Sequence, residues 1–183
     1  MFKSLIRQCY FICIWVINLL LLLLPFSIAR VALLKAIGQR VAWSASLQRG
    51  VRILSLKPNT LRIRERVIVN HSVLLDNRGG LVLMADVAVS SGTAIFSYGH
   101  DHQQIFRPTR AKPTVVGPGV FIYSRAIICP GAHLRGHCVV APGSVVTKPT
   151  SRQAFWGGNP ARCIRPQYAV KGRNESYQYV LAP

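Results

Sequence analysis

The sequence is short of acid. Five Asp and Glu stand against 23 Lys and Arg in 183 residues, a formal net charge of +18. So few carboxylates argue against a two-carboxylate mechanism and against an oxygen-ligated metal cage. Cysteine is also sparse. The five present, Cys9, Cys13, Cys129, Cys138 and Cys163, are odd in number and form no CxxC. That spacing gives no zinc motif and no disulfide framework, and it fits a reducing compartment. Helix-turn-helix, zinc-finger and RNP patterns are absent too, so the positive field is not assigned to nucleic acid. Anionic lipid and phosphorylated small molecules are the remaining partners for such a field.

What is present begins with an apolar run. Cys9 to Leu24, "CYFICIWVINLLLLLL", carries no charge, and Asn18 is its one strongly polar residue. With Pro25 and Phe26 it reaches the lower end of the length that spans a bilayer. Lys3 and Arg7 precede it; Arg30, Lys35 and Arg40 follow. If it spans, the heavier basic flank puts the rest of the chain at the cytoplasmic face of the inner membrane. Pro25 ends or kinks the helix. Ser27 to Gly38 mixes aliphatics with Arg30 and Lys35, as an interfacial helix would. A span and a monotopic dip both fit, with membrane lipid the partner in either. Ser27 and Ala29 could serve a signal cleavage site, but the positive charge continues beyond them. Residues 1–38 are therefore expected to be a membrane-associated segment, and the remainder is expected to fold without it.

After Gly38 the period changes to six. From Val116 the chain reads "VGPGVF", "IYSRAI", "ICPGAH", "LRGHCV", "VAPGSV". An aliphatic residue opens each block: Val116, Ile122, Ile128, Leu134, Val140 and then Val146. Val120, Ala126, Ala132, Cys138 and Ser144 recur at the fifth place. The same step joins Val41, Leu47 and Ile53, then Ile63, Val69 and Leu75, then Leu83, Val89 and Ile95, with insertions between these groups. Hexapeptide repeats mark a parallel β-helix in which three blocks make one coil. The predicted class is thus mainly β, with a β-helix over 39–166 and a tail at 167–183.

The period fails between Ile95 and Val115, so a loop near 99–114 is ejected from the coil. Scaffolds of this kind carry function on such loops. At its base is "YGHDHQQ", with two of the five histidines, His100 and His102. Imidazole is suited to taking a proton at neutral pH.

The run "VVGPGVFIYSRAIICPGAHLRGHCVVAPGSVVTKPTSRQAFWGGNPARCIR" resembles the hexapeptide-repeat acyltransferases, and within them the maltose, galactoside and polysaccharide O-acetyltransferase branch. The likeness covers about Val41 to Arg165. It implies a left-handed β-helix, a homotrimer, and acetyl-CoA as acyl donor, with no metal. His100 falls at the family's catalytic histidine, which implies a general base for a saccharide hydroxyl. Asn70, Asp76 and His102 are the implied acceptor contacts, and a turn-forming role for Asp76 stands beside this one. Phe121, Ser124, Pro142, Thr147, Lys148, Arg162 and Arg165 are the implied cofactor contacts. The chain departs from the pattern in three ways. Phe121-Ile-Tyr123 replaces a Trp-Gly pair, Pro142 replaces an alanine, and many hexad glycines are missing.

Together with the apolar run, the resemblance implies acetylation of a lipid-linked or cell-surface glycan precursor, hence polysaccharide biosynthesis. Three alternatives stay open at this point. One is N-acetylation of an amino sugar. Another is a metalloenzyme like the γ-carbonic anhydrases, drawing on His71, His100, His102, His133 and His137. The third is a non-catalytic scaffold.

Overall fold

The structure is a computed structural model that describes residues 2–100 and 109–166. Helix α1 (Phe2–Leu23) stops just before Pro25, and α2 (Ser27–Ala36) follows. Gly38, at φ +83°, closes α2: its N–H donates to the Lys35 carbonyl, and the Gln39 N–H donates to that of Leu34. A left-handed glycine just past the last turn is the common way to satisfy helix-end carbonyls.

Five coils come next, each of three short strands. The first holds β1 (Arg40–Val41), β2 (Ser46–Leu47) and β3 (Arg52–Ile53). The second holds β4 (Leu61–Ile63), β5 (Ile68–Val69) and β6 (Leu74–Leu75), and the third β7 (Leu81–Leu83), β8 (Ala88–Val89) and β9 (Ala94–Ile95). An antiparallel ribbon, β10 (Tyr98–His100) with β11 (Thr109–Ala111), then leaves the helix. The fourth coil is β12 (Thr114–Val116), β13 (Phe121–Ile122) and β14 (Ile127–Ile128). The fifth is β15 (His133–Leu134), β16 (Val139–Val140) and β17 (Val145–Val146). A hairpin of β18 (Phe155–Gly158) and β19 (Ala161–Arg165) ends the described chain.

Stacking the coils makes three parallel faces, the architecture that the period of six predicts. The first face is β1-β4-β7-β12-β15 and the third is β3-β6-β9-β14-β17. The second is β2-β5-β8-β13-β16, extended by β18 and β19. The register stacks the period residues upon one another, for example Ile122 on Val89 and Val140 on Ile122. All of them are buried, from Val41 at one end to Val146 at the other. Val120, Ala126, Ala132, Cys138 and Ser144 are buried as well, where the chain rounds each corner into the bore.

Most corners carry a residue in left-handed geometry. At the corner between the second and third faces these are Gly50, Ser72, Gly92, Arg125 and Gly143, with φ between +57° and +74°. Ser72 and Arg125 accept a strain that glycine would avoid. The missing glycines of the repeat are thus tolerated at a small cost, and the coil keeps its shape.

The helices close the open end of the β-helix. Its first coil leaves three rows of peptide groups without a preceding strand, the liability of any sheet edge. On the third face, Asn18 of α1 takes both groups of Ile53: Nδ2 donates to the carbonyl oxygen and Oδ1 accepts from the N–H, each at 2.9 Å. On the second face, Ser27 Oγ accepts from the Leu47 N–H at 2.8 Å, and Arg30 Nε donates to the Leu47 carbonyl at 2.7 Å. On the first face, Lys35 Nζ donates to the Val41 carbonyl at 3.0 Å. Leu21, Val31 and Leu34 join the core behind these bonds. This packing runs against the expectation that the β-helix folds without residues 1–38. Nearer the start of α1, Tyr10 Oη also accepts from the Leu56 N–H at 3.0 Å, and Ile14 is buried, but most of the helix stays uncovered. Ser4–Leu23 is long and apolar enough to cross a membrane, and only 11% of it is buried.

Candidate active site

His100 ends β10, where the ribbon departs from the corner between the third and first faces. Its backbone pairs with Thr109, and its side chain is exposed. Two devices fix the base of this ribbon. Gly79 lies so close to the exit that a Cβ there would sit 1.8 Å from the Ser97 carbonyl oxygen. Its N–H donates to Ser97 Oγ at 2.9 Å, and that hydroxyl donates to the Asp76 carbonyl. The second device is a chain of side chains. Asp76, fully buried, receives Arg78 through two parallel bonds: Nε to Oδ1 at 2.9 Å and Nη2 to Oδ2 at 3.0 Å. The Arg78 guanidinium lies 4.9 Å from the centre of the Tyr98 ring, and the Tyr98 hydroxyl donates to Thr109 Oγ1 at 2.8 Å. The hydrogen bond that Arg78 donates to Asp76 holds the Arg78 pKa above its ordinary value. Two coils and both ribbon strands are thereby tied together.

Asp76 therefore stands in a brace, with both carboxylate oxygens occupied by Arg78. Asn70 is half-buried at the opposite corner, between the second and third faces, in the same coil. Ser124 and Pro142 lie along that same edge in the fourth and fifth coils, where the Gly143 N–H donates to the Ser124 carbonyl at 3.0 Å. Thr147 and Lys148 follow β17, and so lie on the edge that carries His100. His102 lies outside the described residues.

Phe121, Arg165 and a groove of about 400 Å³ share the second face. Phe121 packs beside Tyr123 with ring centres 4.7 Å apart. Tyr123, Val139, Phe155, Ile164 and Arg165 line the groove. Arg165 pairs with Phe155 across the final hairpin, and Gly157 leaves room for the Ile164 side chain, whose Cδ1 is 2.6 Å from where a Cβ would be. An apolar wall ending in a guanidinium fits a thioester arm that carries phosphates. Arg162 is exposed on the same hairpin, and its Nη1 donates to the Ala161 carbonyl. Sequence reading did not find Arg78, Tyr98, Val139, Phe155 or Ile164. Val139 does sit next to a period residue, at the outward place in a strand, and that was its one signal.

The histidines considered as metal ligands fall apart in the fold. His71 lies in the corner after β5, His133 on the outside of the first face, and His137 at the corner before β16. Among the described residues no three His, Cys, Asp or Glu gather as a metal site.

No family model matches the chain. Its fold is that of solved hexapeptide-repeat acetyltransferases. The VCA0836 acetyltransferase of Vibrio cholerae, solved with acetyl-CoA, superposes with a TM-score of 0.73 at 24% identity, covering 84% of both chains. A maltose O-acetyltransferase of Clostridium difficile also gives 0.73, at 22% identity over 84% of this chain and 83% of that one. Among curated proteins, the Saccharomyces cerevisiae protein YJL218W, named as a candidate acetyltransferase, is 24% identical over 110 residues, 58% of this chain and 56% of its own length. The chloramphenicol acetyltransferase of Agrobacterium fabrum is 41% identical over 58 residues, 32% of this chain and 28% of that protein. The chain thus spans about half or less of the curated relatives it matches.

Proposed function

We propose that this chain is an acetyl-CoA-dependent O-acetyltransferase of a saccharide hydroxyl, acting as a homotrimer at the cytoplasmic face of the inner membrane. The acceptor is a lipid-linked or cell-surface glycan precursor. The observation that carries the reading is the braced ribbon that puts His100 on one edge of the prism, while Asn70, Ser124 and Pro142 line another. One face separates the two edges within a chain. In the proposed trimer a neighbouring copy sets its second edge against this His100, and the site lies between copies. The Vibrio cholerae structure solved with acetyl-CoA supports the donor. The apolar, largely uncovered α1 supports the membrane placement.

In this mechanism the acceptor hydroxyl attacks the thioester carbonyl carbon as His100 takes its proton. The C–O bond forms, the C–S bond breaks, and the proton passes from His100 to the departing sulfur. No acyl-enzyme is needed, because a thiolate is already a good leaving group. The groove on the second face would hold the pantetheine arm, with Arg162 and Arg165 toward the phosphates. His102 and Asn70 would contact the acceptor.

The test is acetyl transfer by the purified full chain and its variants. His100→Ala is expected to lower turnover about 10²–10⁴-fold with acetyl-CoA affinity unchanged. His102→Ala should chiefly raise the acceptor KM. An active His100→Ala enzyme defeats the base assignment. Loss of activity in EDTA returns the metalloenzyme reading, and transfer to an amine but not a hydroxyl returns N-acetylation.

A further inference from the structure

A second groove, also of about 400 Å³, opens on the first face at the end capped by the helices. Lys35, Arg40, Arg62 and Arg64 are among its lining, with Glu65 its one carboxylate. Arg40 and Arg62 are register partners on adjacent rungs, with the buried Val41 and Ile63 beside them. Side chains alternate along a strand, so both arginines point outward from strands roughly 4.8 Å apart. Stacked like charges destabilise a sheet, and the one carboxylate in the lining, Glu65, faces four cations. The ion pairs Arg66–Asp86 and Arg78–Asp76 lie elsewhere. Arg40 Nε donates instead to the neutral Asn59 Oδ1. The cost is understandable if an anion sits there.

The surroundings indicate where the anion comes from. Lys35 belongs to α2, the helix joined directly to the apolar α1. Its ammonium lies 4.8 Å from the ring centre of Trp43, which is 58% exposed. Phe26 and Ile28, at the join of the helices, are exposed as well. Exposed aromatics beside basic residues at the end of an apolar helix form the pattern of a membrane–water interface.

We propose that the Lys35–Arg40–Arg62–Arg64 groove is a binding site for the phosphate of an anionic phospholipid headgroup. A headgroup with net negative charge is selected over a zwitterionic one, since four cations would repel a choline ammonium. The bound lipid seats the first coil on the membrane and so fixes the height of the active site above it. The ligand class is taken from the membrane placement proposed above.

The experiment is native mass spectrometry of the full chain released from detergent micelles, titrated with phosphatidylglycerol or phosphatidylcholine. Wild type is expected to bind phosphatidylglycerol about tenfold more tightly, as two or more arginines near a headgroup imply. Arg40→Gln/Arg62→Gln should lose that preference while acetyl transfer to a soluble acceptor stays unchanged. Equal binding of both lipids by wild type overturns the proposal, as does a preference that survives in the double variant. Inorganic phosphate that blocks both lipids equally would mark a site for soluble anions and also overturn it. A chain that fractionates as soluble but keeps the phosphatidylglycerol preference defeats the membrane placement and supports the groove.

Discussion

The carboxamide of Asn18 binds both backbone groups of Ile53, and so does the work of a missing strand at the edge of the third face. Asn18→Leu should leave an N–H and a carbonyl without partners where Leu21 and Ile53 are buried. Each group left unpaired costs about 1–3 kcal/mol. Urea unfolding in a mild detergent should show that loss. Removing residues 1–38 should cost far more, because all three edges lose their caps together. A truncated chain that stays folded with an unchanged midpoint would mean the helices are only an anchor.

The Arg78 brace gives a second prediction. Arg78 touches the ring of Tyr98, not the histidine, so it is a positioning residue. Arg78→Met keeps much of the packing over the ring and loses the bidentate bond to Asp76. The ribbon should loosen, and turnover should fall roughly tenfold, as a misplaced catalytic group implies. Acetyl-CoA affinity should hold, and Arg78→Lys should restore only part of the rate. A drop in acetyl-CoA affinity with turnover intact would remove the brace from catalysis.

The bore of the β-helix was readable because its requirement is periodic. One face of each short strand must be aliphatic, and the sequence repeats that demand every six residues. The ejected ribbon was readable as a failure of the same period. The caps were not. Asn18 reads as a blemish in an apolar run, and only the end-on position of the first coil gives its amide a purpose. Asp76 and Arg78 are two apart in sequence, but their role depends on Tyr98 and Thr109, which no spacing connects to them. The groove of Tyr123, Val139, Phe155 and Ile164 draws on three separate turns, so its residues share no local signal.

Cys138 should reveal itself through pH. It is buried at a corner of the bore, where Thr150 Oγ1 lies 3.2 Å from its sulfur. Burial pushes its thiol from an ordinary 9.0 up to about 11. The folded state thus holds the proton more tightly than the unfolded chain does. That contribution is fully present below pH 9 and is lost as pH rises toward 11. The loss is at most about 2–3 kcal/mol. Cys138→Ala removes the group, so the difference in stability between variant and wild type should shrink across that window. A constant difference would mean the thiol titrates alike in both states.

The arginines of the last hairpin give the final prediction. Arg165 borders the apolar groove beside Tyr123 and Phe155, and Arg162 stands exposed three residues before it. If they serve the phosphates of CoA, their contribution is ionic and must depend on salt. Arg162→Ala/Arg165→Ala should weaken acetyl-CoA binding about tenfold or more at low salt, the scale of one or two charge-assisted hydrogen bonds. The gap from wild type should narrow as salt rises. Turnover at saturating acetyl-CoA should change little, because neither residue approaches His100 on the prism. A donor that keeps the acetylated pantetheine arm but lacks the nucleotide phosphates separates the explanations. Wild type and variant should bind it equally if the arginines act on phosphate. If the variant binds this shortened donor as poorly as it binds acetyl-CoA, the hairpin has lost its shape rather than its charge, and the phosphate role fails.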